Sequence, residues 1–176
     1  KGRGFMNAYY FVAISLPGFL YIVPDFFVMN KMGLTRGHSG IILLYIAMNI
    51  PFNVILLRTF LMGIPRELEE AGKIDGCSEL SVLLYITLPV AKSIFLTIAL
   101  LVFVNVWNEF LWANTFLMDD AMKTVATRYV RFVGKYSSNM ARIYTASVFT
   151  IAPVVVLYLA FNRRFIEGMT SGSVKG

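Results

Sequence analysis

Glu67, Glu69, Glu70, Asp75 and Glu79 fall within 13 residues of one another, interleaved with Arg66 and Lys73. Acids at this density could serve acid–base chemistry at a membrane surface, or polar recognition of another surface. A second set of polar groups lies inside apolar runs. Tyr45, Asn49 and Asn53 are spaced by four, so one helical face carries a phenol and two amides. Asn105, Asn108, Glu109 and Trp112 recur at i, i+3, i+4 and i+7, which is again one face of a continuous helix. Amides and phenols suit a hydroxyl-rich ligand, and they serve equally as hydrogen-bonding contacts between helices; the spacing fits both. One cysteine, Cys77, allows no internal disulfide, and with the single His38 it argues against a metal centre. No phosphate-binding loop is found: Gly134-Lys135 is followed by Tyr136 and lacks the upstream glycine.

The elements that must position these groups follow from composition. Of 176 residues, 57% are hydrophobic and only 15% charged, with a mean hydropathy of +0.68. That is too apolar for one water-soluble core and far from the composition of a disordered chain. Uncharged runs of 21 residues after Arg3, 19 after His38 and 20 after Arg142, and one of 26 after Lys92 broken only by Glu109, can each cross a bilayer. The fold class predicted is an all-α membrane protein of about four transmembrane helices, near residues 6–29, 40–61, 92–115 and 143–162. A fifth apolar stretch, Leu80 to Val90, is too short to cross. The first run, interrupted by Pro17, Gly18 and Pro24, is not a cleavable signal. Trp107 and Trp112 fit an aromatic belt at the membrane interface. Lysine and arginine divide nine to seven between alternate compartments, which leaves orientation open. The charge of +6 is spread without a basic, aromatic-interleaved stripe, so nucleic acid is set aside.

Between the second and third runs, residues 64–89 read as a helical hairpin outside the bilayer. Pro65 suits a first helical turn, and Glu67, Glu69 and Glu70 sit at the positive end of the dipole. Arg66 with Glu70, and Glu69 with Lys73, are spaced to pair. Gly76 ends the helix and Ser78 caps a second one. Ala71, Gly72, Gly76 and Cys77 keep one side small enough for a partner to approach the backbone. A surface hairpin that only links spans is the plainer reading.

At this point the residues resemble a known family. Glu70-Ala71-Gly72, three residues, Gly76, nine residues, then Ile86-Thr87-Leu88-Pro89 is similar to the EAA loop of ABC importer permeases, with Gly72 and Cys77 where alanine is usual. Trp107-Asn108-Glu109-Phe110 resembles an element of carbohydrate-uptake permeases, as does the ending from Phe165 through Gly168-Met169-Thr170 and Gly172 to Val174-Lys175-Gly176, with Met169 where leucine is usual. Together they resemble the MalG-type half of a maltose-transporter-like importer, over essentially the whole chain.

The resemblance implies a single transmembrane permease domain over 1–176 and not an enzyme. It implies coupling to an ATPase through Glu70, Ala71, Gly72, Asp75, Gly76 and Cys77; the phenol and amide groups of Tyr45, Asn49, Asn53, Asn105 and Asn108 would then suit a substrate path. The implied partners are a second, MalF-like permease, two ATPase subunits, an extracytoplasmic solute-binding protein and the lipid bilayer. No cofactor is expected on this chain, with ATP used by the partner subunits. The implied location is a bacterial or archaeal inner membrane, crossed several times. The 64–89 loop is then cytoplasmic, 116–142 extracytoplasmic and in reach of the binding protein or the lipid headgroups, and 163–176 a tail. Members usually have six spans, so the first two are expected outside this sequence. The alternatives are an integral-membrane enzyme acting on lipid head groups, or a non-catalytic scaffold.

Overall fold

The computed structural model describes residues 2–170, with side chains throughout except at Arg3, Arg36 and 162–170. The described residues are helical and contain no strand. In chain order the α-helices are α1 (Arg3–Ser15), α2 (Ile22–Lys31), α3 (His38–Met62), α4 (Arg66–Ile74), α5 (Glu79–Val82), α6 (Leu88–Val90), α7 (Lys92–Asn108), α8 (Leu111–Phe116), α9 (Val125–Lys135) and α10 (Met140–Thr170). A π-helical segment, Leu83–Thr87, joins α5 to α6.

Two helices, α3 and the Met140–Phe161 part of α10, are each long and apolar enough to cross a membrane. Pro51 and Pro153 lie inside them without ending them, as membrane helices tolerate where neighbours can serve the freed carbonyl. α10 continues to Thr170, past the expected end of the fourth run at 162; Ser171 to Gly176, part of the carboxy-terminal match, lie outside the described residues.

The first run, expected as a span over 6–29, is bent. It forms two helices inclined by 87°, because Leu16 and Pro17 are extended and a short 3₁₀ turn follows. The third run also departs from 92–115. α7 ends at Asn108, Glu109 is extended with ψ 125°, and α8 restarts at Leu111. At its other end α7 meets the Glu79–Val90 arm at 63°.

The tightest packing lies where α3 begins. Ile41 and Leu44 of α3 meet Trp112, Ala113, Phe116 and Leu117 of the α8 region, and Ile22, Phe26 and Met29 of α2 close over them. Phe26 and Phe116 meet edge to face with centroids 5.7 Å apart. Trp112, expected in an interfacial belt, is a core residue here with 5% of its surface exposed. Elsewhere the apolar surface is turned outward: none of the crossing window of α10 is buried within the chain. Such a surface requires lipid or another membrane subunit against it.

Candidate functional site

The acidic island folds as the hairpin its punctuation predicts. At its turn, Gly76 takes φ 84°, a left-handed conformation that costs other residues about 1–2 kcal/mol. Its N–H donates to the Lys73 carbonyl at 3.1 Å, and the Cys77 N–H donates to Gly72 at 2.9 Å. This pair of bonds is a Schellman closure. Ser78 then caps the next helix, its Oγ accepting the Ser81 N–H at 3.2 Å.

The small residues of α4 divide between two jobs. A Cβ added at Gly72 would meet Ile86 Cδ1 at 2.4 Å and Val82 Cγ2 at 3.4 Å. Gly72 is buried against the second arm of its own hairpin, so its smallness seats Ile86 and not a partner, contrary to the sequence expectation. Ala71, Asp75 and Gly76 are exposed, Cys77 is half-buried, and Ile74 is 86% exposed beside Leu68 at 42%. Glu70 is exposed and, with Arg58, Arg66, Glu69 and Lys73, lines a cleft of about 780 Å³ between α4 and the end of α3. The expected pairs Arg66–Glu70 and Glu69–Lys73 do not form. Lys73 instead reaches across the turn to Glu79 at 3.8 Å, where the fold brings the two arms together.

The second polar set forms a seam between α3 and α7. The Tyr45 hydroxyl donates to Glu109 Oε2 at 2.7 Å, and Asn105 Nδ2 donates to Asn49 Oδ1 at 3.1 Å. Stepping four residues up α3 matches stepping four down the other strand of the seam, which is antiparallel packing with one rung per turn. Asn53, one further turn along, donates to the Asn49 carbonyl at 2.8 Å, and its buried Oδ1 has no hydrogen-bond partner. Asn108 turns to its own helix, donating to the Val104 carbonyl at 2.8 Å, and is exposed. So Asn49 meets Asn105 and Tyr45 meets Glu109 across the seam, while Asn53 and Asn108 each bond only to their own helix.

Glu109 is the group whose role the helical spacing missed. Because α7 ends before it, Glu109 does not share a helical face with Trp112. Its carboxylate accepts the Trp112 N–H at 2.7 Å and the Ala113 N–H at 2.9 Å as well as the tyrosine. It thus supplies acceptors to the first turn of α8 and ties that turn to α3. An acid immediately ahead of a short apolar run is the signal that would have marked this.

The 116–142 segment holds an amphipathic helix, α9. Thr124 caps it, and the fully buried Thr127 and the Tyr129–Ser147 hydrogen bond of 2.8 Å fasten it to the rest of the chain. His38, the first residue of α3, is exposed and contacts the Met122 carbonyl at 3.1 Å. Lys123 is buried, its ammonium donating to the Asn114 carbonyl at 3.2 Å.

Residues 1–170 match the family described as binding-protein-dependent transport system inner membrane component. Among similar proteins are the probable ABC transporter permease protein YurM of Bacillus subtilis, 32% identical over all of this chain and 59% of that protein, and the arabinooligosaccharides transport system permease protein AraQ of Halalkalibacterium halodurans, 34% identical over all of this chain and 62% of that protein. The trehalose/maltose transport system permease protein MalG of Thermococcus litoralis is 31% identical over 94% of this chain and 58% of its own length. The chain spans about three fifths of these curated relatives. They are transport permeases and not enzymes, in agreement with the resemblance drawn from the motifs. The chain is a membrane protein and belongs to the family of binding-protein-dependent transport system inner membrane components.

Proposed function

We infer that this chain is a transmembrane permease subunit of an ATP-driven, binding-protein-dependent sugar importer. The observation that carries the reading is the α4 hairpin. A polar helix held by a Schellman turn presents Ala71, Asp75 and Gly76 together with an 86% exposed Ile74. With Leu68 also exposed, the hairpin offers apolar as well as charged groups to another protein surface. In this reading that protein is one of two ATPase subunits, which use the ATP; this chain binds no cofactor. The hairpin is cytoplasmic, α9 lies on the opposite side, toward an extracytoplasmic solute-binding protein, and a second permease completes the path in a multiply crossed bacterial or archaeal inner membrane. The substrate is a sugar, in keeping with the arabinooligosaccharide and trehalose/maltose permeases that the chain is similar to. Asn49 and Asn105 offer the amide chemistry that hydroxyl groups favour.

The test uses the intact transporter. Gly76→Val puts a β-branched residue at positive φ, and Glu70→Ala removes one carboxylate from the hairpin. Sugar uptake and sugar-stimulated ATP hydrolysis should fall together, about a hundredfold for Gly76→Val if about 2.7 kcal/mol of docking is lost, and less for Glu70→Ala. Membrane insertion should persist. Normal transport in both variants reduces the hairpin to a linker. Asn49→Leu should weaken uptake while association with the ATPase stays unchanged; unaltered uptake removes the seam from the substrate path.

A further inference from the structure

Four cations lie on or just after α9, and the structure separates them into two kinds. Arg128 donates to the carbonyls of Asp120 and Ala121 at 3.1 and 3.2 Å, and Arg131 pairs with Asp120. Lys135 and Arg142 have no carboxylate partner among the described residues. Both gather on one aromatic ring, Tyr136, with Lys135 Nζ 5.4 Å and the Arg142 guanidinium carbon 4.9 Å from its centroid. With both cations near one ring, the surface around Tyr136 carries a positive potential that an anion would lower.

Beside them runs an apolar groove of about 410 Å³ between α9 and α10, lined by Phe132, Ala141, Arg142, Thr145, Ala146 and Phe149. Arg142 stands at one end and Phe149, 75% exposed, at the other, a distance of about 10 Å along the helix. The small side chains of Ala141 and Ala146 make the floor. Met140–Phe161 is the part of α10 long and apolar enough to cross a membrane; with that stretch in a bilayer, Arg142 stands at headgroup level and the groove runs from it toward the hydrocarbon.

We propose that this groove seats one anionic phospholipid, with its phosphate between Lys135 and Arg142 and an acyl chain lying over Ala146 and against Phe132 and Phe149. The charge pair alone would attract any anion, and the groove alone any hydrocarbon. Their order along α10 matches a molecule with phosphate at one end and an alkyl chain at the other. The proposal depends on the chain lying in a bilayer and not on the importer reading, so either can fail alone.

The test places the intact transporter in phosphatidylcholine vesicles containing a small fraction of chain-spin-labelled phosphatidylglycerol, with labelled phosphatidylcholine as the control. An immobilised population selective for phosphatidylglycerol is expected. Each cation near an anionic headgroup contributes roughly fivefold, so the Lys135→Gln/Arg142→Gln pair should lower selective retention about thirtyfold. Arg142→Lys should keep most of it. Ala146→Trp should displace the chain with both charges intact. Equal retention of both lipids, or no response to the paired glutamines, overturns the site. Loss of solute-binding-protein affinity in the paired variant with lipid retention unchanged would overturn it too, in favour of an acidic protein surface.

Discussion

The hairpin at 66–90 and the α3–α7 seam are both built from polar side chains, yet they satisfy them in opposite ways. In the hairpin the bonds are local: Cys77 to Gly72, Ser81 to Ser78, Lys73 to Glu79. Most of its charges face outward, where water can replace a lost partner. In the seam, Tyr45 and Glu109 are 64 residues apart and Asn49 and Asn105 are 56 apart. There each side chain depends on another from a distant part of the chain, or folds back on its own backbone as Asn49 does to the Tyr45 carbonyl. Tyr45, Asn49 and Glu109 are partly buried, where a polar group that loses its partner is left unsatisfied, whereas Asn105 lies exposed on the surface of the chain. The seam should therefore be the more fragile region, although it has fewer charges.

Glu109→Ala should break that contrast most severely. It strands two backbone donors and the Tyr45 hydroxyl, at an expected cost of about 3 kcal/mol, read as reversible unfolding of the intact permease in mixed micelles. Glu109→Gln, which keeps an acceptor, should cost less than half as much. A loss below about 1 kcal/mol for the alanine variant would mean that water already serves the α8 turn.

Gly72→Leu comes next, at about 2 kcal/mol, because the side chain must displace Ile86 and Val82. Adding Ile86→Ala should recover at least about 1 kcal/mol if the two share one space. Strict additivity would show that the arms do not interlock. The smallest effect is expected from Ser78→Ala, about 1 kcal/mol or less from the lost cap. A serine variant as damaging as Glu109→Ala would erase the difference between the two regions.

How much of this could be read in the residues depended on the distance between partners. Pro65, Gly76 and Ser78 act within one turn, so their positions could be read from spacing alone. Gly72 could not, because what it meets is Ile86, 14 residues later, and a small residue looks the same whether it faces a partner or its own chain. Counting apolar residues measured the length of each run but not the direction of its axis. The 87° corner after Ser15 was thus invisible, though Pro17 lay in view. The face drawn through Asn105, Asn108, Glu109 and Trp112 assumed an unbroken helix. Once Glu109 takes over the donors of α8, the projection fails, and Trp112 turns into the core beside Ile41 and Leu44. Membrane character and family membership do not rest on the direction of any one helix.

Ala91 carries a mechanical consequence. It has none of its surface exposed and sits where the Glu79–Val90 arm meets α7 at 63°. Its carbonyl accepts from both Ile94, at 3.1 Å, and Phe95, at 3.3 Å, so the corner is bonded and not slack. The arm is about 18 Å long at 1.5 Å per residue. A swing of roughly ten degrees at this pivot would carry its far end through about 3 Å, one hydrogen-bond length. Pushed from the Gly76 end, the arm is a lever that exchanges a displacement of that size for a small rotation at the foot of α7.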